Sequence, residues 1–430
     1  MADATTNTPG SNVQPSGAVN PEPAKPPRQR IDSIDLLRGI VMVIMMLDHT
    51  RDFIHYAVFQ FDPLDLKRTT PALFLTRWIT HFCAPIFVFI AGTGAYLQFT
   101  RGKSKNELSR FLITRGIWLI ILEVTVVRAV AFFNLDPRFL FLLQVIWVIG
   151  FSMIVLAVLI HLPLPALAGL GLVMIAIHNY FDRFPVTPWR GPGTPVPGWG
   201  AKLWMLFHQS GVFPVGPTFP SPIAFVLYPL IPWIGVMAVG YAFGALYKKD
   251  AATRKRWLLI IGGGATLLFM VIRAIDKYGE PVHWSRQKNA LFTVFSFINT
   301  TKYPPSLDFL LMTIGPAIFA LAFFEPARSA AGSALRTFFV TFGRVPLFYY
   351  ILQWATAHTI AILLHLAFGK PVRWLFQTPA SWFANPPQGN GFSLLIVYIS
   401  WVAGVLLLYP LCKWFAGVKA RRRDWWLSYL

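Results

Sequence analysis

The sequence is poor in charged residues and in cysteine. Aspartate, glutamate, lysine and arginine together make up 13% of the 430 residues, whereas soluble domains contain about 25%. Hydrophobic residues make up 55% of the chain, and the mean hydropathy is +0.54. This composition excludes an ordinary soluble domain and indicates a protein that crosses a lipid bilayer several times.

The two cysteines and the scattered histidines predict no metal site. Cys83 and Cys412 fall on opposite membrane sides in the topology predicted below, so we expect no disulfide between them. Two thiols are also too few for a cysteine zinc cluster. The net charge of +20 is explained by cationic cytoplasmic loops lying against anionic lipid. We therefore predict the lipid bilayer as a partner and no nucleic acid.

Hydrophobic segments of spanning length recur after residue 30. They predict an all-α, polytopic membrane helix bundle of about ten transmembrane helices. These helices are predicted near residues 33–55, 72–99, 111–133, 139–160, 164–181, 223–247, 256–274, 305–324, 338–366 and 391–414. We predict three regions in the chain: a disordered cytoplasmic tail at 1–30, a membrane domain at 31–418, and a basic, aromatic cytoplasmic tail at 419–430.

The distribution of lysine and arginine predicts the orientation. With the amino terminus inside, the short inner loops collect more of these residues than the longer outer loops, as the positive-inside rule requires. Both termini are then cytoplasmic, and we expect the protein in the inner (plasma) membrane. The long outer loops at 182–222, 275–304 and 367–390 favour an ordered cap on the far side.

The first predicted helix carries a polar face. A helix turns about 100° per residue, so Arg38 and His49 lie within roughly 20° of one face and about 16 Å apart along the axis. Ionisable residues at membrane depth are costly and indicate functional sites. The residues on this face are Asp35, Arg38, Met42, Met45, His49 and Asp52. Such a face could serve a site reached from both sides of the membrane.

His49 is the leading catalytic candidate, because a neutral imidazole can accept a proton or carry an acyl group. Asp52, one turn later, could orient the ring, and Asp48 can pair with Arg51. The alternative is a polar helix end that snorkels into the headgroup layer. His55 is a further catalytic candidate that could border the same outer cavity.

Other ionisable residues suggest binding roles. Arg344 and His358 lie fourteen residues apart in the ninth predicted helix, hence within about 40° of one face, where a cation favours an anion contact. Arg110 and Arg115 open the third helix, where they either bind a phosphorylated cofactor or only follow the positive-inside rule. Three further residues complete the predictions: His81 and Arg51 as substrate contacts, and Glu123 as an internal partner for Arg128.

A family resemblance rests on these same segments. SIDLLRGIVMVIMMLDH resembles the first-helix motif of the membrane acyltransferase 3 superfamily, in which an arginine is followed by ten residues and a histidine. The wider stretch, IDLLRG through LDHTRDFIHY to FCAPIFVFIAGTGAYL, resembles bacterial relatives of heparan-alpha-glucosaminide N-acetyltransferase. FGRVPLFYYILQ is similar to a late helix of that group.

The resemblance implies acetyl-CoA as the donor on the cytoplasmic side and a carbohydrate-like acceptor, an amine or hydroxyl, on the other. It also implies a catalytic histidine. In the eukaryotic enzyme this residue lies beyond the first helix, which points to His55, with Asp48 in place of an asparagine. The acyltransferase motif points to His49, which we favour because Arg38 and Asp52 share its face. The paired arginines of the broader group are closer together than Arg110 and Arg115.

We therefore predict an integral membrane acyltransferase that uses acetyl-CoA and no metal. Arg38, Arg110 and Arg115 are the predicted cofactor-binding residues. The alternatives are a transporter or channel whose polar helix face lines the pathway, and a membrane scaffold without catalysis. An inverted repeat would favour a transporter. Homo-oligomerisation and the identity of the acceptor are left open.

Overall fold

The computed structural model describes residues 1–3, 31–139, 141–219, 221–324, 334–378, 381, 389–422 and 424–429, and most of these residues are helical. In chain order the α-helices are α1 (Asp32–Ile54), α2 (Pro71–Ile79), α3 (Cys83–Phe99), α4 (Lys105–Leu122), α5 (Arg128–Phe132), α6 (Val145–Leu159), α7 (Leu164–Ile177), α8 (Trp199–Phe207), α9 (Leu230–Phe243), α10 (Ala251–Ile275), α11 (Ala290–Ile298), α12 (Leu307–Phe324), α13 (Ala334–Arg344), α14 (Pro346–Ala367) and α15 (Leu394–Arg421).

Seven helical segments among the described residues are long and apolar enough to cross a membrane, which makes this a multi-pass membrane protein. They are Pro71–Phe99, Leu164–Arg183, Leu230–Lys248, Ala251–Ile275, Leu307–Phe324, Pro346–Ala367 and Leu394–Arg421. Three further predicted spans differ from these. The 23-residue α1 carries acidic and basic residues, α4 runs into a π-helical turn, and α6 has 15 residues.

The all-α prediction is wrong in one detail, because the structure contains a small sheet. Its strands are β1 (Phe141–Leu143), β2 (Gly211–Pro214) and β3 (Ile223–Val226), in the order β1-β3-β2. β1 pairs with β3 in parallel, and β2 pairs with β3 antiparallel. The prediction placed β1 and β3 inside the fourth and sixth helices, since short apolar runs do not distinguish strand from helix.

The ninth predicted helix, 338–366, is two helices. α13 ends at Arg344 and α14 begins at Pro346, with Val345 between them in a non-helical conformation (φ −131°, ψ 48°). Proline suits the first turn of a helix, and it disfavours a helical conformation in the residue before it. Arg344 and His358 therefore do not share one helix face, and that prediction is wrong.

Helix α1 lies against α3, α13, α14 and α15, and most of its residues are buried. Its contact with α13 is a backbone-to-backbone approach. A Cβ atom at Gly39 would lie 1.8 Å from the carbonyl oxygen of Phe339, and one at Gly343 would lie 1.8 Å from that of Asp35. Only glycine, which has no Cβ atom, permits the two backbones to approach this closely. The contact brings Arg38 to α13, where it donates to the Gly343 carbonyl at 3.0 Å.

The chain divides into two compact units, residues 1–31 and 32–430. Apart from its first three residues, the predicted disordered tail at 1–30 lies outside the described residues. At the other end, α15 continues to Arg421, so the boundary predicted at residue 418 falls inside a helix.

Candidate functional site

A cavity of about 420 Å³ lies at the carboxyl-terminal end of α1. We call it the His49 cavity. It is lined by ionisable, aromatic and apolar side chains from six parts of the chain. The lining includes Met45, Asp48, His49, Arg51, Asp52, His55, Asp62, Arg77, Gln144, Val145, Tyr228, Lys302, Tyr303, Tyr350 and Trp354.

The His49 ring is held by aromatic side chains of α14. It stacks on Trp354 with ring centroids 3.8 Å apart and an interplanar angle of 24°, and it meets Tyr350 edge-on at 6.1 Å. Its Nδ1 atom is buried and has no hydrogen-bond partner among the described residues. The expected contact from Asp52 is not formed, because the Asp52 carboxylate accepts from Arg51 at 2.5 Å.

Asp48 is the centre of an ion cluster in this cavity. It accepts from Arg51 at 2.8 Å, the pair expected from the sequence, and from Arg77 of α2 at 2.7 and 2.9 Å. Because the Asp48 and Arg77 side chains are both 14% exposed, this pair between α1 and α2 is shielded from solvent, and loss of either partner would leave an uncompensated buried charge.

His55 also lines the His49 cavity, one helical turn beyond the ion cluster. It caps a short 3-10 helix, and its Nδ1 atom accepts from the backbone of Ala57 at 3.3 Å. Its backbone pairs with Phe392, which precedes α15. His55 therefore has a structural task that His49 does not have.

Two loop residues between α11 and α12, Lys302 and Tyr303, complete the His49 cavity. The Lys302 ammonium lies 5.2 Å from the centre of the Tyr303 ring. Burial alone would raise the pKa of the Tyr303 phenol, but the Lys302 and Arg77 cations bring its pKa below the usual value. The potential on this wall of the cavity is therefore positive.

A second cavity, of about 320 Å³, lies towards the amino-terminal half of α1. We call it the Arg115 cavity. Its lining contains four cations, Arg38, Arg115, Arg344 and Lys419. Among the described residues, no carboxylate lines it. Arg38 pairs with Asp35 at 2.9 Å, and Arg344 lies 3.6 Å from Asp32. The remaining lining is mostly apolar, with Gln98 as a polar exception.

The two cavities adjoin each other inside the bundle. Met45, Val145 and Tyr350 line both of them. The Tyr350 hydroxyl is buried and has no hydrogen-bond partner among the described residues. A molecule in one cavity and a molecule in the other would therefore meet at Tyr350, close to the ring of His49.

A family model described as "Heparan-alpha-glucosaminide N-acetyltransferase, catalytic" matches residues 30–273. The chain belongs to this family. The family transfers acetyl groups and uses acetyl-CoA as the donor. No curated protein sequence matches the chain. The matched region of this acetyltransferase-family protein includes His49, Arg77 and Arg115, but ends before Lys302 and Tyr350.

Some residues predicted for the site lie outside both cavities. Arg110 is exposed. His81 is buried against Phe309, and neither of its ring nitrogens has a partner among the described residues. His358 is stacked between Phe53 and Phe133, at 4.5 and 4.2 Å.

The predicted pair of Glu123 and Arg128 does not form. Glu123 lies in the π-helical turn after α4 and accepts at 3.0 Å from the backbone N–H groups of Ile146 and Trp147. Arg128 instead donates to the carbonyl of Phe139 at 2.7 Å. Glu123 thus caps the amino terminus of α6 next to the wall shared by the two cavities, where a carboxylate is favoured.

Sequence reasoning missed Arg77, Lys302, Tyr350, Trp354 and Lys419. Arg77 had a signal, because it is an arginine inside an apolar spanning segment, the same feature that singled out Arg344. Lys302 lies in a predicted outer loop, where nothing distinguished it from other lysines. Among the described residues, no group of three or more His, Cys, Asp or Glu is placed to hold a metal ion.

Proposed function

We propose that the protein transfers an acetyl group from cytoplasmic acetyl-CoA in the Arg115 cavity to a carbohydrate-like acceptor in the His49 cavity. The observation that carries this proposal is the pair of adjoining cavities at the two halves of α1. The charged residues that line one of them are all cations, and the other contains an unpartnered histidine nitrogen. Family membership supplies the reaction class.

The Arg115 cavity suits the donor. Coenzyme A carries several phosphate charges, and guanidinium groups bind phosphate oxygens through paired hydrogen bonds. Arg38, Arg115, Arg344 and Lys419 would hold these phosphates. The apolar remainder of the lining suits the pantetheine arm, which would direct the thioester towards Met45 and Tyr350.

His49 would act on the acceptor. In one step, the acceptor nitrogen or oxygen attacks the thioester carbonyl carbon, His49 accepts the proton, and the CoA thiolate leaves. In the alternative, the imidazole nitrogen attacks the thioester carbonyl carbon and the CoA thiolate leaves; the acceptor then attacks the acetyl group on the ring, and the released imidazole accepts the acceptor's proton. The Tyr350 hydroxyl would donate a hydrogen bond to the carbonyl oxygen, where negative charge develops.

We further infer that α1, the α4–α5 segment and α6 also cross the membrane, giving about ten spans with both termini cytoplasmic in the inner (plasma) membrane. This arrangement places the Arg115 cavity on the cytoplasmic side, together with the loops richest in lysine and arginine. A transporter would also need cavities on both sides, and the adjoining cavities favour it as the second candidate.

Binding of CoA to the purified protein tests the donor site. We expect Arg115→Ala to weaken CoA binding by about 10- to 100-fold, because a hydrogen bond to a charged group contributes about 1.5–3 kcal/mol. The effect should be larger at low salt. The measurement is isothermal titration calorimetry of CoA in detergent.

Two arginines provide controls for this experiment. Arg256→Ala removes an exposed arginine of α10 that lines neither cavity, and it should leave CoA binding unchanged. The sequence predicted Arg110 as a cofactor-binding residue, but it does not line the Arg115 cavity. We therefore expect Arg110→Ala to have little effect on CoA binding. A CoA dissociation constant that is the same in wild type and Arg115→Ala would contradict the donor site and favour the transporter.

A further inference from the structure

Helix α8 exposes an apolar face on the surface of the structure. Trp199, Leu203 and Phe207 are 65%, 51% and 39% exposed. They are spaced four residues apart, which places them on one side of the helix. Single exposed hydrophobic residues are ordinary, but three large ones on one helix face indicate a surface that something other than water covers.

The charged residue of α8 is buried on the protein side. The ammonium group of Lys202 donates to the backbone carbonyls of Gly216 at 2.7 Å and Val215 at 3.3 Å. Met205 is also buried, and it packs with Phe213 in the core of the small sheet. An amphipathic helix in water has its charged residues on the exposed face, and α8 has the opposite arrangement.

Helix α8 is attached to the end of a membrane span. This span, Leu164–Arg183, is the least buried of the seven helical segments that are long and apolar enough to cross a membrane. The Trp204 ring of α8 meets the Phe181 ring edge-on at 5.9 Å. His208, which follows α8, pairs with Asp182 at 2.9 Å. The helix therefore lies beside the last turns of a segment whose surface faces lipid.

The end of this span exposes apolar and aromatic side chains of its own. Ile177 and Tyr180 are exposed within it, and Phe184 is exposed immediately after it. Together with Trp199 they include both rings, tyrosine and tryptophan, that are enriched where the hydrocarbon meets the headgroups. The lipid-facing surface of the span thus continues onto α8.

We propose that the exposed face of α8 binds the phospholipid bilayer, at the boundary between headgroups and acyl chains where the span Leu164–Arg183 ends. The nine residues of α8 cover about 13 Å. This length is too short to cross a hydrocarbon core of about 30 Å. The helix would therefore lie along the membrane surface, as interfacial amphipathic helices do.

An anchored α8 would fix one wall of the His49 cavity relative to the membrane. Met205 of α8 belongs to one hydrophobic cluster with Leu143 of β1 and Val226 of β3. The residues that follow these two strands, Gln144 and Leu227, line the His49 cavity. The outer loop that contains α8 would then attach this cavity wall to the bilayer surface, and would not be a cap surrounded by water.

Fluorescence quenching by spin-labelled lipids tests the proposal. Leu203→Cys is labelled with the environment-sensitive dye NBD, and the full chain is reconstituted into phosphatidylcholine vesicles. We expect its emission at a shorter wavelength than in water. Most of this emission should be lost when the lipid carries a nitroxide near the top of its acyl chain, because interfacial helices lie about 5–10 Å deep. The unmodified chain gives the background, since Cys83 and Cys412 are buried.

Three further labelled positions are matched to Leu203. Phe207→Cys lies on the same face and should behave in the same way, so the test does not depend on one variant. Arg190→Cys replaces an exposed charged residue of the same outer loop, and its label should emit as in water and lose little emission to the nitroxide. Val173→Cys lies exposed midway along the span Leu164–Arg183, and its label should be quenched more by a nitroxide at the end of the acyl chain.

Two outcomes would overturn the proposal. In the first, the labels at Leu203 and Phe207 emit at the same wavelength as the label at Arg190 and are quenched no more strongly, which would place this face of α8 in water. In the second, their emission is shifted but neither nitroxide quenches it, which would mean that protein, such as a second copy of the chain, covers the face. Neither outcome depends on CoA binding or on acetyl transfer.

Discussion

His49 and His55 line the same cavity but are held in different ways. His49 is stacked on Trp354 with a buried, unpartnered Nδ1 atom, whereas the Nδ1 atom of His55 caps a backbone N–H group. A histidine with a free ring nitrogen beside a cavity is suited to proton transfer. A histidine that caps a turn is suited to structure.

The two histidines therefore give opposite expectations. His49→Gln keeps much of the volume but cannot accept a proton at neutral pH, and it should lower acetyl transfer by about 10²–10⁴-fold while the protein folds normally. His55→Gln should lower thermal stability more than transfer. The measurement is acetyl transfer to amino sugars in vesicles loaded with acetyl-CoA. Full transfer by His49→Gln together with loss in His55→Gln would assign catalysis to His55.

At the scale of elements, the approach of α1 to α13 positions the Arg115 cavity, the proposed donor site. Gly39 and Gly343 face each other's backbones, and this contact sets Arg38 and Arg344 beside the same cavity. The α13–α14 break at Val345 has the same consequence, because it turns the chain so that Pro346 and Tyr350 also reach the cavity.

Replacement of one glycine tests this contact. In Gly343→Ala the new methyl group would overlap the Asp35 carbonyl, which cannot move without shifting α1. Overpacking typically costs about 1–3 kcal/mol, so we expect a lower unfolding temperature in detergent. Gly264→Ala in α10 meets nothing within 4 Å and should be neutral or stabilising. Equal stability of both variants would contradict the close packing of α1 on α13.

At the scale of the whole molecule, the proposed reaction requires that the two cavities face opposite sides of the membrane. The orientation of the protein in the membrane can be measured directly at helix α10, whose 25 residues cover about 37 Å. Ala252 lies near its amino-terminal end, and Lys277 lies just beyond its carboxyl-terminal end. Both residues are exposed.

Single cysteines at these two positions should label differently in intact cells. Lys277→Cys should react with a membrane-impermeant thiol reagent, and Ala252→Cys should react only after the cells are opened, because positive-inside loops remain cytoplasmic. The unmodified chain is the control, since Cys83 and Cys412 are buried. Labelling of Ala252→Cys in sealed cells would reverse the orientation and place the cationic cavity outside.

The sequence by itself determined the class of protein, the family and the polar face of α1. These are local properties. The hydropathy of a segment depends only on the residues within it. The helical period places Arg38 and His49 on one face of α1 regardless of how the other helices pack. The break before Pro346 was also readable from a single residue, although the prediction continued the helix through it.

Only the tertiary structure decided which groups surround His49. Trp354, Arg77 and Lys302 come from three separate parts of the chain, and their positions relative to α1 depend on how the helices pack. Spacing within one helix does not predict that Arg77, from another helix, also pairs with Asp48. Nor does it predict that Asp52 accepts a hydrogen bond from Arg51 instead of from His49. An ion pair forms with whichever opposite charge packing brings within reach, and that distance is not encoded by spacing along the chain.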